Sequence, residues 1–363
     1  MLDSPTSFHV LPMHAASREV LALPDADRRA VVASMVKHAG ADGFARDSLT
    51  AVAPMAWHEE AVVVLVMLVW LGGPLIWAFG GLATLVFGGW GARAFVVLGS
   101  LALALHPMPG ADFGRWLGGT RFTLWLYKYF SYRFVWCDDD MDVARESRAW
   151  IGAGPPHGVL PFANVLSIPA INTFGFRAFR GAPASVVFRT PFLRYLTLFP
   201  CVGVDRTSII RATDAGTCVG IVPDGVAGIF RMHAAPRGEF VALRSKKGLA
   251  RLALRTGTPI LPAYSFGNTQ VLSCWYDSFG ILEAVSRRLQ ASLFVYWGRW
   301  GLPIPRRAQI TMVFGRVIDV PRVDAPTDAQ IDELHERILS EMRCHFDRHK
   351  AALGWGDREL HFV

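Results

Sequence analysis

Lys247-Gly-Leu-Ala-Arg-Leu-Ala-Leu-Arg-Thr256-Gly-Thr-Pro259-Ile-Leu-Pro-Ala-Tyr264 sets a segment suited to a helix, residues 247–256, directly before a β-rich run, residues 259–264. Outward from this unit the alternation repeats. Residues 132–137, 149–153, 184–188, 217–222 and 310–314 read as short strands, and residues 191–198 as a helix. Short apolar strands alternating with helical stretches specify an α/β domain. The chain closes on a helix announced by Thr327 and Gln330, which have the spacing of a capping box. Ile331, Leu334, Ile338, Met342 and Phe346 then recur on one helical face. No internal repeat or low-complexity tract interrupts this plan.

The composition excludes a disordered chain. Of 363 residues, 52% are hydrophobic and only 18% charged, the reverse of what keeps a chain unfolded. Mean hydropathy is +0.29, and 12 Trp and 24 Phe lean toward a membrane. The net charge of +7 suits anionic headgroups or the phosphates of a substrate. Between Ala61 and Leu105 the only ionisable side chain is Arg93. A helical crossing needs about 20 apolar residues, so the run reads as a transmembrane hairpin, turning at Gly80–Gly81 or Gly88–Arg93, with Pro74 placed to kink its first helix. Arg115, Arg121 and Lys128 follow it, a basic flank that puts both ends in the cytosol. Three regions result: a weakly ordered cytosolic arm over 1–56 with a short helix near Asp27–His38, a membrane hairpin over 57–107, and an α/β domain over 108–363. The arm carries no secretory signal pattern.

Five cysteines without a CxxC pair argue for reduced thiols rather than disulfides or a zinc site. There is no GxSxG elbow, HExxH pair or P-loop, and Asp138–Asp140 lack an EF-hand loop, reading instead as a solvated turn. One histidine stands out. Gly154-Pro155-Pro156-His157-Gly158 follows a strand, and in open α/β sheets reactive residues are presented at strand ends. Histidine is also the side chain suited to accept a proton near neutral pH. A structural turn histidine is the alternative.

Pro156-His157-Gly158 resembles the second half of the HPHG motif of the diacylglycerol acyltransferase 2 family, which includes monoacylglycerol and wax-ester acyltransferases. Downstream order agrees. Gly203-Val-Asp-Arg206 and Ile221-Val-Pro-Asp-Gly-Val-Ala-Gly228 resemble two further blocks, the second containing PGG in the family. Arg244 to Gly267 is similar to the family's long RKGF…LALRHG…VPxYSFG signature, and Gly298-Arg-Trp-Gly301 also fits. The likeness covers most of residues 125–355 and the hairpin.

The resemblance implies a glycerolipid-acyltransferase-like α/β fold and transfer of an acyl group from acyl-CoA to a lipid hydroxyl at the endoplasmic reticulum or lipid-droplet surface. His157 would be the general base, and no metal or cofactor is needed beyond acyl-CoA as co-substrate. Triacylglycerol is the expected product, from diacylglycerol. Monoacylglycerol or a long-chain alcohol as acceptor, or an inactive lipid-binding relative, stay open, as does a homo-oligomer; nucleic acid is not an expected partner. Pro156, Gly158, Arg206 and Gly225 fall in the matching motifs as substrate-binding candidates. Departures are visible at three positions. Pro155 replaces the first His of HPHG, and Gly228 stands where many members have Glu, while Asp224 replaces the first Gly of PGG. Asp224 thus brings a carboxylate to the motif, to orient His157, to contact the acceptor, or only to shape an Asp-Gly turn. Residues 237–255 carry six basic residues against one acid, Glu239. Arg244, Lys246, Lys247 and Arg251 among them are candidates for coenzyme A phosphates, with a solvated helix face or an anionic-lipid contact as alternatives.

Overall fold

A computed structural model describes residues 8–39, 49–188, 190, 192–231, 237–276, 279–289 and 295–363. Its strands are β1 (Phe8–Pro12), β2 (Lys37–Ala39), β3 (Arg133–Cys137), β4 (Ile151–Ala153), β5 (Phe179–Gly181), β6 (Cys218–Ile221), β7 (Gly238–Val241), β8 (Ile260–Phe266), β9 (Ser273–Cys274), β10 (Tyr296–Trp297), β11 (Thr311–Phe314) and β12 (Glu359–Phe362). Eight form one mixed sheet in the order β2-β1-β3-β11-β8-β4-β6-β5. Strands β8, β4, β6 and β5 run parallel, while β11 is antiparallel to β8.

Side chains on a strand alternate between faces, and here both faces are apolar. Phe134, Leu261, Ala263, Met312 and Phe314 belong to a core shared with the helices Arg121–Tyr129 and Phe162–Ala170. Val135, Ile260, Tyr264, Phe266 and Val313 join a second core with the helices Gly248–Thr256 and Asp328–Lys350. Burial on both faces explains why these strands read as continuous apolar runs rather than as alternation. The terminal helix has the expected capping box between Thr327 and Gln330. Its expected stripe, Ile331, Leu334, Ile338, Met342 and Phe346, is buried.

Several expectations are corrected. Phe8–Pro12, assigned to a weakly ordered arm, is a strand inside the sheet, paired antiparallel with β3, and Leu11 and Met13 are fully buried. The expected helix in the arm spans Asp25–Met35 and gives way to β2. Ser185–Phe188 forms a 3-10 turn rather than a strand, and β5 lies before it. The 191–198 segment is a 3-10 helix over Leu193–Leu198.

The apolar run folds into two helices, Trp57–Phe87 and Trp90–Leu105, that turn at Gly88–Gly89. Pro74 and Gly80–Gly81 lie within the first helix. Trp77 donates from Nε1 to Ser100 Oγ at 2.8 Å across the pair. Arg93 sits in the first turn after the bend and donates to the Val86 carbonyl at 3.1 Å. Among the described residues one helix, Trp57–Phe87, is long and apolar enough to cross a membrane. The second has 16 residues, fewer than the roughly 20 that a crossing needs. The domain grips the base of the hairpin. Val63, Met67 and Leu71 are buried, a side chain at Gly73 would strike the Phe192 ring, and Arg194 donates to the carbonyls of Leu103 and His106.

Candidate active site

Three neighbouring strands, β4, β6 and β8, are parallel and end at one edge of the sheet, the place where open α/β sheets carry their sites. The loop Gly154–Gly158 leaves β4, Val222–Gly225 leaves β6, and Gly267–Asn268 leaves β8. The β4 loop is held at nearly every residue. Pro155 and Pro156 are buried and joined by a cis peptide. Ser265 donates from its backbone N–H and its hydroxyl to the Pro155 carbonyl at 2.8 and 3.0 Å. Asn268, 1% exposed, turns its Nδ2 toward the carbonyls of His157 at 2.8 Å and Pro156 at 3.2 Å, and its Oδ1 accepts from Ala163 N–H at 3.1 Å. Gly158 has φ +63°, and a Cβ there would lie 2.6 Å from Asn268 Nδ2, so glycine is required on both counts.

His157 is half-buried. Its Nδ1 lies 3.0 Å from the Gly158 carbonyl. In a neutral ring that contact makes Nδ1 the donor and Nε2 the acceptor. Asp224 is fully buried. Its Oδ2 accepts the backbone N–H of His157 at 3.0 Å, so the carboxylate holds the main chain of the histidine rather than its ring. Asp224 Oδ1 has no hydrogen-bond partner among the described residues. Burial lowers the pKa of His157, opposed by the nearby Asp224 charge. Burial likewise raises the pKa of Asp224, opposed by His157 and Lys246. The two groups titrate as a pair. Lys246 donates from Nζ to the Asp224 carbonyl at 2.5 Å.

Three of the remaining basic candidates are engaged on the terminal helix. Arg244, Lys247 and Arg251 pair with Glu336 at 3.7 Å, Asp332 at 2.5 Å and Asp328 at 3.4 Å on the terminal helix. Arg206 is exposed in the first turn of the helix Arg206–Asp214, with no hydrogen bond to the His157 loop among the described residues. The fold therefore gathers Pro156, His157, Gly158, Asp224, Gly225 and Lys246, and leaves Arg206, Arg244, Lys247 and Arg251 outside that group. Gly225 takes φ +50°, which lets the chain turn after Asp224.

Sequence reading missed two supports. Asn268 follows the Tyr264-Ser-Phe-Gly267 run, and a polar residue closing a buried strand was its only sign. The other is Glu239, 3% exposed, which accepts from Arg358 at 2.6 Å and from the Thr269 hydroxyl at 3.3 Å. It anchors β7 to β12, which pair in parallel with Leu360 opposite Glu239. Arg244 N–H donates to the Val363 carbonyl, so this pair of strands fixes the loop that brings Lys246 to Asp224.

Comparison with known proteins gives the family. A family model described as diacylglycerol acyltransferase matches residues 95–362. The chain is 27% identical over 266 residues to diacylglycerol O-acyltransferase 2-like protein 6 of Bos taurus, covering 65% of this chain and 76% of that protein. It is 28% identical over 260 residues to diacylglycerol O-acyltransferase 2 of Danio rerio, covering 65% and 70%. The crystal structure of the 1-acyl-sn-glycerophosphate acyltransferase of Thermotoga maritima aligns with 78% of this chain and 97% of that one at 16% identity, with a TM-score of 0.35, too loose a superposition to argue from. By its match over residues 95–362, the chain belongs to the diacylglycerol acyltransferase family and is an acyltransferase.

Proposed function

We propose that the protein transfers a fatty acyl group from acyl-CoA to the free hydroxyl of diacylglycerol, forming triacylglycerol, with His157 as general base. The observation that carries this reading is the posture of His157. Its Nδ1 is engaged with the Gly158 carbonyl, which leaves the Nε2 lone pair for the acceptor hydroxyl. Burial keeps the ring neutral near pH 7, the state a base requires. Nε2 takes the hydroxyl proton as the oxygen attacks the thioester carbonyl. The new C–O bond forms, the C–S bond breaks, and the proton passes to the departing coenzyme A thiolate. Asp224 offsets the charge that His157 gains during this step. Lys246 and Asn268 act as positioning residues, holding the two loops on which His157 and Asp224 sit.

The hairpin supports work at a membrane. Ile76, Phe79, Phe87, Trp90, Phe95 and Leu98 are all exposed, an apolar surface that water would disfavour. Beyond its grip at Gly73 the first helix extends about 22 Å at 1.5 Å per residue, against a hydrocarbon core of about 30 Å. The hairpin thus dips into the bilayer and returns, with Arg93 near its tip. The α/β domain and both chain ends stay on the cytosolic side of the endoplasmic reticulum or a lipid droplet.

Incubation of purified protein with labelled acyl-CoA and diacylglycerol, monoacylglycerol or a long-chain alcohol tests the reading. Label in triacylglycerol is expected; label only in another ester reassigns the acceptor, and none in any ester rejects the activity.

A further inference from the structure

The structure contains a cavity of about 490 Å³ outside the His157 group, within the range of roughly 300–1,000 Å³ typical of small-molecule sites. Its floor includes Gly267, the residue directly before Asn268, whose side chain holds the His157 carbonyl at 2.8 Å. The cavity thus opens one residue from the clamp on the candidate catalytic loop. Its walls are of two kinds. Val52, Phe266 and Trp355 are apolar, while Gln270, Gln309 and Arg306 bring amides and a cation.

Arg306 is the informative member. Its Nη2 donates to Ser273 Oγ at 3.0 Å and its Nη1 to the Gln270 carbonyl at 3.4 Å. These bonds fix the guanidinium without neutralising it, and no carboxylate pairs with it among the described residues. The adjacent Arg307, by contrast, is paired with Glu60 at 3.1 Å. A fixed guanidinium at the wall of an open cavity is suited to phosphate oxygens, which it meets in a forked geometry. The apolar wall suits the face of a planar base, and the two amides can both donate to and accept from its edge. The basic segment that otherwise invites phosphates has its Arg244, Lys247 and Arg251 paired to the terminal helix.

We propose that this cavity takes the phosphate-bearing adenosine end of coenzyme A, with Arg306 on a phosphate and the base against the apolar wall. The inference rests on acyl-CoA being the donor. It places the nucleotide beside β8, so that the pantetheine arm runs past Asn268 toward His157.

Titration calorimetry of the full chain in detergent with free coenzyme A tests it. Arg306→Glu should weaken coenzyme A binding by about tenfold or more, the scale of one hydrogen bond to a charged group. It should raise KM for acyl-CoA while leaving KM for the acceptor unchanged. Val52→Trp, at a rim position 43% exposed, should weaken binding by occupying the cavity, with a melting temperature that reports an intact fold. Charge reversal at Arg244 and Lys247 should leave coenzyme A binding unchanged. If coenzyme A binds wild type, Arg306→Glu and Val52→Trp equally, the site is elsewhere while the donor reading stands. If dihexanoyl phosphatidate displaces coenzyme A only from wild type and binds more tightly, the cavity serves a lipid headgroup and the proposal is overturned. If wild type neither binds coenzyme A nor transfers label from acyl-CoA, the donor reading falls, and the site with it.

Discussion

The Asp224 carboxylate occupies the space in front of the Gly228 α-carbon, so that a Cβ at position 228 would overlap Asp224 Oδ2, the atom that holds the His157 backbone N–H. Two features that look independent in the sequence, a carboxylate gained at 224 and a side chain absent at 228, are one arrangement in the fold.

Gly228→Ala is therefore expected to displace the carboxylate and lower turnover, although position 228 has no side chain to contribute. Asp224→Ala removes the clash but also the anchor for His157. In the double variant the two effects should not add, with a coupling of about 0.5–3 kcal/mol, as for residues in direct contact. Thermal melts and turnover of the four proteins measure it. Additive effects would mean that the carboxylate does not sit against Gly228.

The terminal helix and the loop carrying His157 were legible in the sequence because their signals are local: a capping box with its apolar stripe, and a Pro-Pro-His-Gly turn after a strand. What was not legible depends on distant partners. Strand β7 has four residues and gains its identity from β12, about 120 positions away; β1 likewise needs β3. The ion pairs of the basic segment were readable and were missed. Asp328, Asp332 and Glu336 recur every four residues on one face of a predicted helix, a stripe that matches Arg251, Lys247 and Arg244 in reverse order. Asn268 lacked any comparable signal, since its role lies in which carbonyls the fold brings within reach.

The pH dependence of kcat/KM should follow the coupled His157–Asp224 pair. Because burial lowers the folded pKa of His157, its imidazole is free of its proton at neutral pH. Activity should be flat around pH 7 and fall on acidification, with an apparent pKa below the ordinary 6.5 for imidazole. A falling limb centred above pH 7 would contradict this assignment.

Two further histidines should govern acid stability. His345 and His349 are buried in the terminal helix, and burial lowers their pKa to about 4 and about 3. Glu341 lies 3.6 Å from His345 Nε2, Arg348 opposes protonation of both, and Cys137 Sγ lies 3.4 Å from His349 Nε2. The unfolded chain binds protons below about pH 6.5 while these rings stay neutral, so stability is full above that pH and is lost as pH falls toward 4. Denaturant unfolding at pH 7 and pH 5 should differ by about 2 kcal/mol per histidine. His349→Gln should show a shallower slope; an unchanged slope would remove His349 from the account.

Topology follows from the hairpin that returns on itself. Tags at residue 1 and residue 363 should both be cut by protease added outside intact microsomes. Protection of one tag alone would require an odd number of crossings and would contradict the hairpin's return.

The most direct test of the central claim is acyl transfer by His157→Ala. The purified variant should match wild type in melting temperature and membrane association. Transfer of labelled acyl groups from acyl-CoA to diacylglycerol should fall by about 10²–10⁴-fold, the usual contribution of a general base. A folded variant that retains more than about half of wild-type turnover, far outside that range, would show that His157 does not remove the proton.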